Sequence, residues 1–220
     1  MSAPIRTVLF DLDGTLLDSV GLILASYRHM MRTHHGHAPP DEIFRRGIGT
    51  PLRAQIAELA RSEAELEPML ETYRTHCIDN HDALAGPFPG AVETVRALHG
   101  RVQLAIVSSK RRFGVLRGLR LMGIEDAFEI IVGADDVTEH KPHPLPVLQA
   151  MAQLGAEPAS SIYVGDSTHD MASGRAAGVR TAAALWGPFE REALARHEPT
   201  WWLDAPGDVL ALIGAQRLRV

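Results

Sequence analysis

The stretch Thr7-Val8-Leu9-Phe10-Asp11-Leu12-Asp13-Gly14-Thr15 decides the fold. Residues 7–10 form a short apolar run, which is typical of a strand buried on both faces of a parallel sheet. The run stops abruptly, so Asp11 and Asp13 would lie at the carboxyl end of that strand. Open α/β sheets bind their ligands at this end of their strands. The stretch therefore predicts an α/β fold with a ligand site at Asp11 and Asp13.

Strand and helix patterns alternate after Gly90. This alternation is typical of a parallel sheet with helices on its faces, and it predicts a doubly wound, Rossmann-like core. The predicted strands cover 102–107, 129–132, 161–164, 181–185 and 201–203. The predicted helices cover 111–122, 144–154 and 168–177.

The stretch between the first strand and Gly90 has a different character. Helical patterns cover roughly 19–35, 51–61 and 63–79, separated by glycine and proline clusters, and no strand pattern appears among them. We therefore expect two units. A catalytic core would comprise 1–15 and 88–220, and an all-helical insertion would comprise 16–87.

Composition narrows the function further. The chain has 220 residues, of which 45% are hydrophobic and 22% charged, as expected for a globular protein with a sizeable core. Its net charge of −5 argues against a nucleic-acid partner, and the short basic run 110–112 is interpreted as a solvated helix start. We find no signal-peptide pattern and no apolar window long enough for a membrane span. The single cysteine, Cys77, excludes an internal disulfide and fits a cytoplasmic location.

Polar residues follow three of the predicted strands. Asp11 and Asp13 follow the first, Ser108 and Ser109 the second, and Asp166 a later one, with Asp170 four residues on. Because parallel strands end along one edge of a sheet, we expect these side chains to converge although Asp11 and Asp166 are 155 positions apart. Lys141, in a loop before a helix, could reach the same edge.

The expected cluster suits phosphoryl chemistry. Neighbouring carboxylates repel one another, and a divalent cation relieves the repulsion; oxygen ligands favour Mg²⁺. Together, the cation and Lys141 can neutralise a phosphoryl group, to which Ser108 can donate a hydrogen bond. One carboxylate can attack phosphorus and form an aspartyl-phosphate, while a second serves as general acid and base.

The constellation resembles the phosphatase branch of the haloacid dehalogenase-like superfamily. The resemblance rests on Asp11-Leu12-Asp13-Gly14-Thr15-Leu16, Ser108, Lys141-Pro142 and Gly165-Asp166-Ser167-Thr168-His169-Asp170, which occur in the family's order. It implies Asp11 as nucleophile and Asp13 as general acid and base. It implies Mg²⁺ held by the Asp11 carboxylate, the Asp13 backbone carbonyl and Asp166, with Asp170 in support. The phosphoryl group would be bound by Ser108 and Lys141, aided by Gly14, Thr15 and Ser109.

The helical insertion looks like the α-helical cap of this family, which closes over the site. Its segment Gly47-Ile48-Gly49-Thr50-Pro51-Leu52 resembles the substrate-probing loop of phosphoglycolate phosphatases and bacterial pyrophosphatases. We therefore expect Gly49 and Thr50 to contact the substrate, a small phosphorylated metabolite or pyrophosphate. We expect a monomer or homodimer with no nucleic-acid or membrane partner.

Three other functions fit the sequence less well. A sugar phosphomutase would carry a histidine where Ile23 stands. A dehalogenase would typically lack the second aspartate of the first motif, which is present here as Asp13. A non-catalytic phosphate-binding regulator would be expected to have lost a motif carboxylate, and none is lost. The substrate remains open among phosphoglycolate, pyrophosphate and small sugar phosphates.

Overall fold

A computed structural model describes residues 3–214 of the protein. Eight strands and ten α-helices occur in this part of the chain. The strands are β1 (Thr7–Phe10), β2 (Leu17–Asp18), β3 (Gly86–Pro87), β4 (Gln103–Val107), β5 (Ile130–Val132), β6 (Ser161–Gly165), β7 (Arg180–Ala184) and β8 (Trp201–Leu203). The helices are α1 (Val20–His35), α2 (Asp41–Arg45), α3 (Leu52–Leu59), α4 (Glu63–Leu84), α5 (Ala91–Leu98), α6 (Arg112–Leu121), α7 (Leu145–Leu154), α8 (Thr168–Ala176), α9 (Arg191–Ala195) and α10 (Asp208–Gly214).

Six strands form one parallel sheet in the order β5-β4-β1-β6-β7-β8. The first strand of the chain therefore lies at the centre, between β4 and β6. All three of these strands end along the same edge, so the residues that follow them become neighbours. This architecture confirms the predicted doubly wound α/β core.

Alternate residues of β1 enter the two hydrophobic layers that cover the sheet. Val8 and Phe10 pack into one layer with α5 and α6, whereas Leu9 packs into the other with α7. All three side chains are buried, which is why this strand is apolar throughout. Burial on both faces fixes the strand and therefore the position of Asp11 at its end.

The helical segment, defined here as residues 20–84, has an apolar core of its own. The Tyr27 ring stacks on Phe44 at 4.7 Å between centroids and meets Tyr73 edge-on at 4.9 Å. Buried aliphatic side chains such as Met30 and Met69 complete this cluster. The chain enters and leaves the segment through β2 and β3, which pair antiparallel as a two-stranded ribbon.

Several elements of the structure were missed by the sequence patterns. The ribbon strands have two residues each, which is too short for any periodicity to show. Helix α4 continues to Leu84, beyond the predicted end at 79, and buries His81 in its last turns. Although α4 has 22 residues, none of the helices described is long and apolar enough to cross a membrane.

Candidate active site

Three of the predicted aspartates meet at the carboxyl edge of the sheet. Asp11 follows β1 and donates its backbone N–H to Val164 of β6 at 2.9 Å, which continues the strand pairing by one residue. Asp166 follows β6, and Asp170 lies in the first turn of α8. One carboxylate oxygen from each lies within 4.8 Å of the others, and all three residues are buried.

Lys141 reaches this cluster from the loop before α7, where its side chain is only 2% exposed. Its Nζ donates to Asp11 Oδ1 at 2.9 Å and to Asp170 Oδ1 at 2.6 Å. A third contact, at 3.1 Å, joins Nζ to the hydroxyl of Tyr163, which itself lies 2.9 Å from Asp170 Oδ1. Lys141 is therefore the buried cation that holds two of the three carboxylates.

The cluster carries more negative charge than Lys141 can balance. Burial raises the pKa of Asp11 to about 7, against the opposing charge of Lys141. Burial and the charges of Asp170 and Asp11 raise the pKa of Asp166 well above its ordinary value. Burial would also raise the pKa of Asp170, but Lys141 and the two Ser167 donors outweigh it and lower that pKa. The raised pKa values of Asp11 and Asp166 show that a further positive charge beside these two carboxyl groups would be favourable.

The carboxylate of Asp166 has one oxygen satisfied and one free. Oδ1 accepts a hydrogen bond from Thr15 Oγ1 at 2.7 Å, whereas Oδ2 is buried without a hydrogen-bond partner. Two glycines press against this side chain. A Cβ on Gly14 would lie 2.5 Å from Oδ2, and a Cβ on Gly187 would overlap the Asp166 side chain. The chain thus approaches the carboxylate closely from two sides, and Oδ2 is left without a partner.

These observations fit a hard divalent cation. The donor atoms are all oxygens, three carboxyl groups share one buried cation, and Asp166 Oδ2 lacks a partner; Mg²⁺ prefers such ligands. The two oxygens of Asp170 are already engaged by Lys141, Tyr163 and Ser167. Asp11 and Asp166 are therefore better placed to hold a cation directly than Asp170.

Asp13 was predicted to hold the metal through its backbone carbonyl, and its carboxylate lies outside this cluster. Its Oδ1 accepts from Ser19 at 2.6 Å and from Lys110 Nζ at 2.8 Å. Burial would raise the pKa of Asp13, but the charge and hydrogen bond of Lys110 outweigh it and lower that pKa. The side chain faces the junction between the sheet and the helical segment.

The prediction that the basic run 110–112 is a solvated helix start is wrong for Lys110. Its side chain is 18% exposed and forms an ion pair with Asp13, whereas Arg111 and Arg112 are 68% and 48% exposed. Lys110 lies three residues beyond the end of β4, so its long side chain can reach back across the sheet edge. Charge patterning alone could not show that reach.

The two serines after β4 have different partners. Ser108 is buried, and its Oγ accepts from the backbone N–H of Lys110 at 3.2 Å. Ser109 donates to the backbone carbonyl of Gly49 at 2.6 Å, so it joins the sheet edge to the helical segment.

Gly49 lies against the carboxyl edge of the sheet and has φ at +93°. A Cβ at this position would lie 3.1 Å from Ser167 Oγ and 3.4 Å from His169 Nδ1. Thr50, its neighbour, accepts a hydrogen bond from Gln55 Nε2 through its carbonyl at 2.6 Å. The turn that was predicted to probe the substrate is therefore close to the motif residues that follow β6.

Ser19, Lys110 and Tyr163 contact the predicted site residues but were not predicted as site residues. Tyr163 had a readable signal: it is the one aromatic in the buried strand β6, three residues before Asp166. Its hydroxyl could have been expected to need a buried partner. Ser19 had no such signal, because its contact depends on how the chain turns after β1.

The chain is similar to known proteins over most of its length. The family described as haloacid dehalogenase-like hydrolase matches residues 8–184. The protein named Pyrophosphatase PpaX from Bacillus pumilus is 40% identical over 213 residues, covering 96% of this chain and 97% of that protein.

Two solved structures share the fold. A haloacid dehalogenase-like hydrolase from Bacteroides fragilis has a TM-score of 0.87 and 30% identity, covering 93% of this chain and 99% of its own. A "predicted phosphoglycolate phosphatase" from Haemophilus somnus has a TM-score of 0.86 and 25% identity, covering 94% and 97%.

Proposed function

The chain belongs to the haloacid dehalogenase-like hydrolases, and we propose that it is a Mg²⁺-dependent phosphohydrolase whose substrate is pyrophosphate. The observation that carries this proposal is the buried cluster of Asp11, Asp166 and Asp170 around Lys141, in which Asp166 Oδ2 has no partner. Such a cluster can hold a cation and a phosphoryl group together. The likeness to a pyrophosphatase over nearly the whole chain supports the substrate.

Asp11 is the proposed nucleophile. Its carboxylate lies at the end of the central strand and is fixed by the hydrogen bond from Lys141 Nζ. It would attack the phosphorus atom, forming an aspartyl-phosphate while the bond to the leaving phosphate breaks. Lys141 would neutralise part of the phosphoryl charge and keep Asp11 in place. A Mg²⁺ ion held by the Asp11 and Asp166 carboxylates and the Asp13 backbone carbonyl would supply further charge neutralisation.

Asp13 is the proposed general acid and base. It would donate a proton to the leaving oxygen, then accept one from the water that hydrolyses the aspartyl-phosphate and regenerates Asp11. Its contacts with Ser19 and Lys110 hold the carboxylate beside the helical segment, where a leaving group would depart. Ser108 would donate to a phosphoryl oxygen, and Asp170 would orient Lys141 through their ion pair.

We propose that residues 16–87 form a cap distinct from the core of 1–15 and 88–220. The separate apolar cluster around Tyr27 supports this division. The β2–β3 ribbon is the natural hinge, because it carries both connections between the two units. The hydrogen bond from Ser109 to Gly49 would belong to the closed arrangement, in which Gly49 and Thr50 lie against the substrate and water is excluded from the aspartyl-phosphate.

Phosphoglycolate is the second candidate substrate, favoured by the likeness to the Haemophilus somnus protein. The test is phosphate release from pyrophosphate, phosphoglycolate and a hexose phosphate, each with Mg²⁺ and each after thorough treatment with EDTA. We expect the highest kcat/KM with pyrophosphate and no turnover without the cation. A preference for phosphoglycolate would refute pyrophosphate as the substrate. Full activity without metal would refute the proposed mechanism.

A further inference from the structure

A tryptophan from the loop after β7, the strand next to β6, contacts the loop that follows β1. Trp186 lies in the loop after β7, and its indole Nε1–H donates to the backbone carbonyl of Thr15 at 2.8 Å. Thr15 in turn donates through Oγ1 to Asp166 Oδ1 at 2.7 Å. The indole is thus connected through a single residue to the carboxylate whose other oxygen is free.

We propose that Trp186 is a positioning residue that fixes Asp166 for cation binding by way of Thr15. The inference rests on the proposed function, since it concerns the cation which that function requires. It assigns to the loop after β7 a role in the site, although no residue of that loop belongs to the sequence stretches that carry the family resemblance.

The contacts leave Asp166 little freedom. Thr15 is fully buried, and Trp186 holds its backbone at the carbonyl, which restricts where its hydroxyl can lie. The next residue, Gly187, packs against the Asp166 side chain so closely that it has no room for a Cβ. One loop therefore acts on Asp166 twice, through a hydrogen bond relayed by Thr15 and through direct contact.

Holding Oδ1 determines where Oδ2 points. A carboxylate is planar, so a fixed hydrogen bond to one oxygen restricts the other, and Oδ2 remains buried and unpartnered beside Gly14. Partners that orient a metal-ligating carboxylate from outside typically change metal affinity by 10- to 100-fold when they are removed. Because Trp186 acts one residue further away, we expect an effect near the lower end of that range.

The test measures Mn²⁺ and Mg²⁺ binding by isothermal titration calorimetry, without substrate, on the full chain. We expect Trp186→Phe, which keeps an aromatic ring but loses the N–H donor, to raise the Kd about tenfold. Trp202→Phe is the matched control, because Trp202 lies on β8 and stacks on Arg191. It should leave the Kd unchanged. Trp186→His, which retains a ring N–H, should recover part of the affinity.

A double-variant comparison separates positioning from a merely structural effect. Thr15→Val removes the hydroxyl while keeping the shape, so the relay ends there. If Trp186 acts through that hydroxyl, adding Trp186→Phe to Thr15→Val should change the Kd by less than twofold. A full tenfold loss in that background, or a wild-type Kd for Trp186→Phe alone, would overturn the inference.

The proposed function fails in a different way. If the wild-type chain binds neither cation, or if Asp166→Asn binds them as tightly as the wild type, the cation site itself is refuted. The Kd of Trp186→Phe is compared with that of the wild type once the wild type is shown to bind the cation and Asp166→Asn to bind it more weakly. Thermal unfolding of each variant, followed by circular dichroism, shows whether the folded state is retained.

Discussion

The edge of the sheet and the helical segment are built on different principles. At the edge, buried charged groups from distant parts of the chain hold one another, as in the ion pairs of Lys141 with Asp11 and Asp170. In the helical segment, stacked rings and buried aliphatic side chains form the core. Substitutions in the two regions should therefore separate the chemical step from stability and substrate access.

The largest effect is expected at Asp11. Asp11→Asn should lower hydrolysis by a factor on the order of 10⁴ to 10⁶, since the nucleophile is lost. The melting temperature should stay the same or rise, because removing one charge relieves repulsion with Asp166 and Asp170. Initial rates and thermal unfolding check both expectations.

The matched control for that variant is Asp126→Asn, whose exposed carboxylate pairs with Arg96 far from the site. It should retain the wild-type rate. Turnover by Asp11→Asn at a comparable rate would remove Asp11 from the mechanism.

A smaller loss is expected at Asp13, where the sheet edge meets the helical segment. Asp13→Asn should lower kcat by about 10² to 10⁴, the usual contribution of a general acid and base. Since the nucleophile remains, the aspartyl-phosphate should accumulate and be detectable by acid quenching with ³²P-labelled pyrophosphate. Asp11→Asn serves as the negative control, and rapid turnover without a trapped intermediate would reject the role of Asp13.

In the helical core, stability should change more than chemistry. Met30 is fully buried, so Met30→Ala should lower the free energy of unfolding by about 2–5 kcal/mol. For a chain of this size, that corresponds to a fall in melting temperature of about 4–20 °C. The kcat measured well below the transition should stay within about twofold of the wild type, because no catalytic contact is lost.

Ile43→Ala is the control for this prediction, because Ile43 is 48% exposed on α2 and leaves no cavity. Its melting temperature should match that of the wild type. A large fall in kcat for folded Met30→Ala would mean that the two regions are not independent.

The smallest effect is expected where the regions touch. Ser109→Ala removes the hydrogen bond to the Gly49 carbonyl, worth about 0.5–1.5 kcal/mol, so kcat/KM should fall by about 2- to 13-fold. The free energy of unfolding should fall by no more than about 1.5 kcal/mol. Ser62→Ala, at an exposed position without a side-chain capping bond, should alter neither quantity. A loss above a hundredfold would show that Ser109 contacts the substrate directly.

The sequence predicted the sheet edge better than the helical segment. Buried strands of a parallel sheet are short apolar runs, and the residues after them must share an edge, so the meeting of Asp11 with Asp166 followed from the fold class. The position of the Asp13 carboxylate did not follow, because it depends on Lys110 and Ser19, whose rotamers no pattern encodes.

The ends of the helices in the helical segment were harder to predict, because they too depend on tertiary contacts. The short helix α2 and the end of α4 depend on packing around Phe44 and His81, both of which are buried. Tertiary burial of this kind overrides local propensity. The first hydrogen bond of the relay, from Trp186 to Thr15, joins residues that are 171 positions apart in the sequence. No local pattern could have shown it.

The pairing of β2 with β3 has an evolutionary consequence. The chain leaves the six-stranded sheet through β2 and returns to it through β3. Because these two strands pair with each other, the whole helical segment is connected to the core at one place. Insertions, deletions or wholesale replacement beyond that connection need not reroute any strand of the sheet. One reaction chemistry can thereby be inherited unchanged while the proposed cap diversifies.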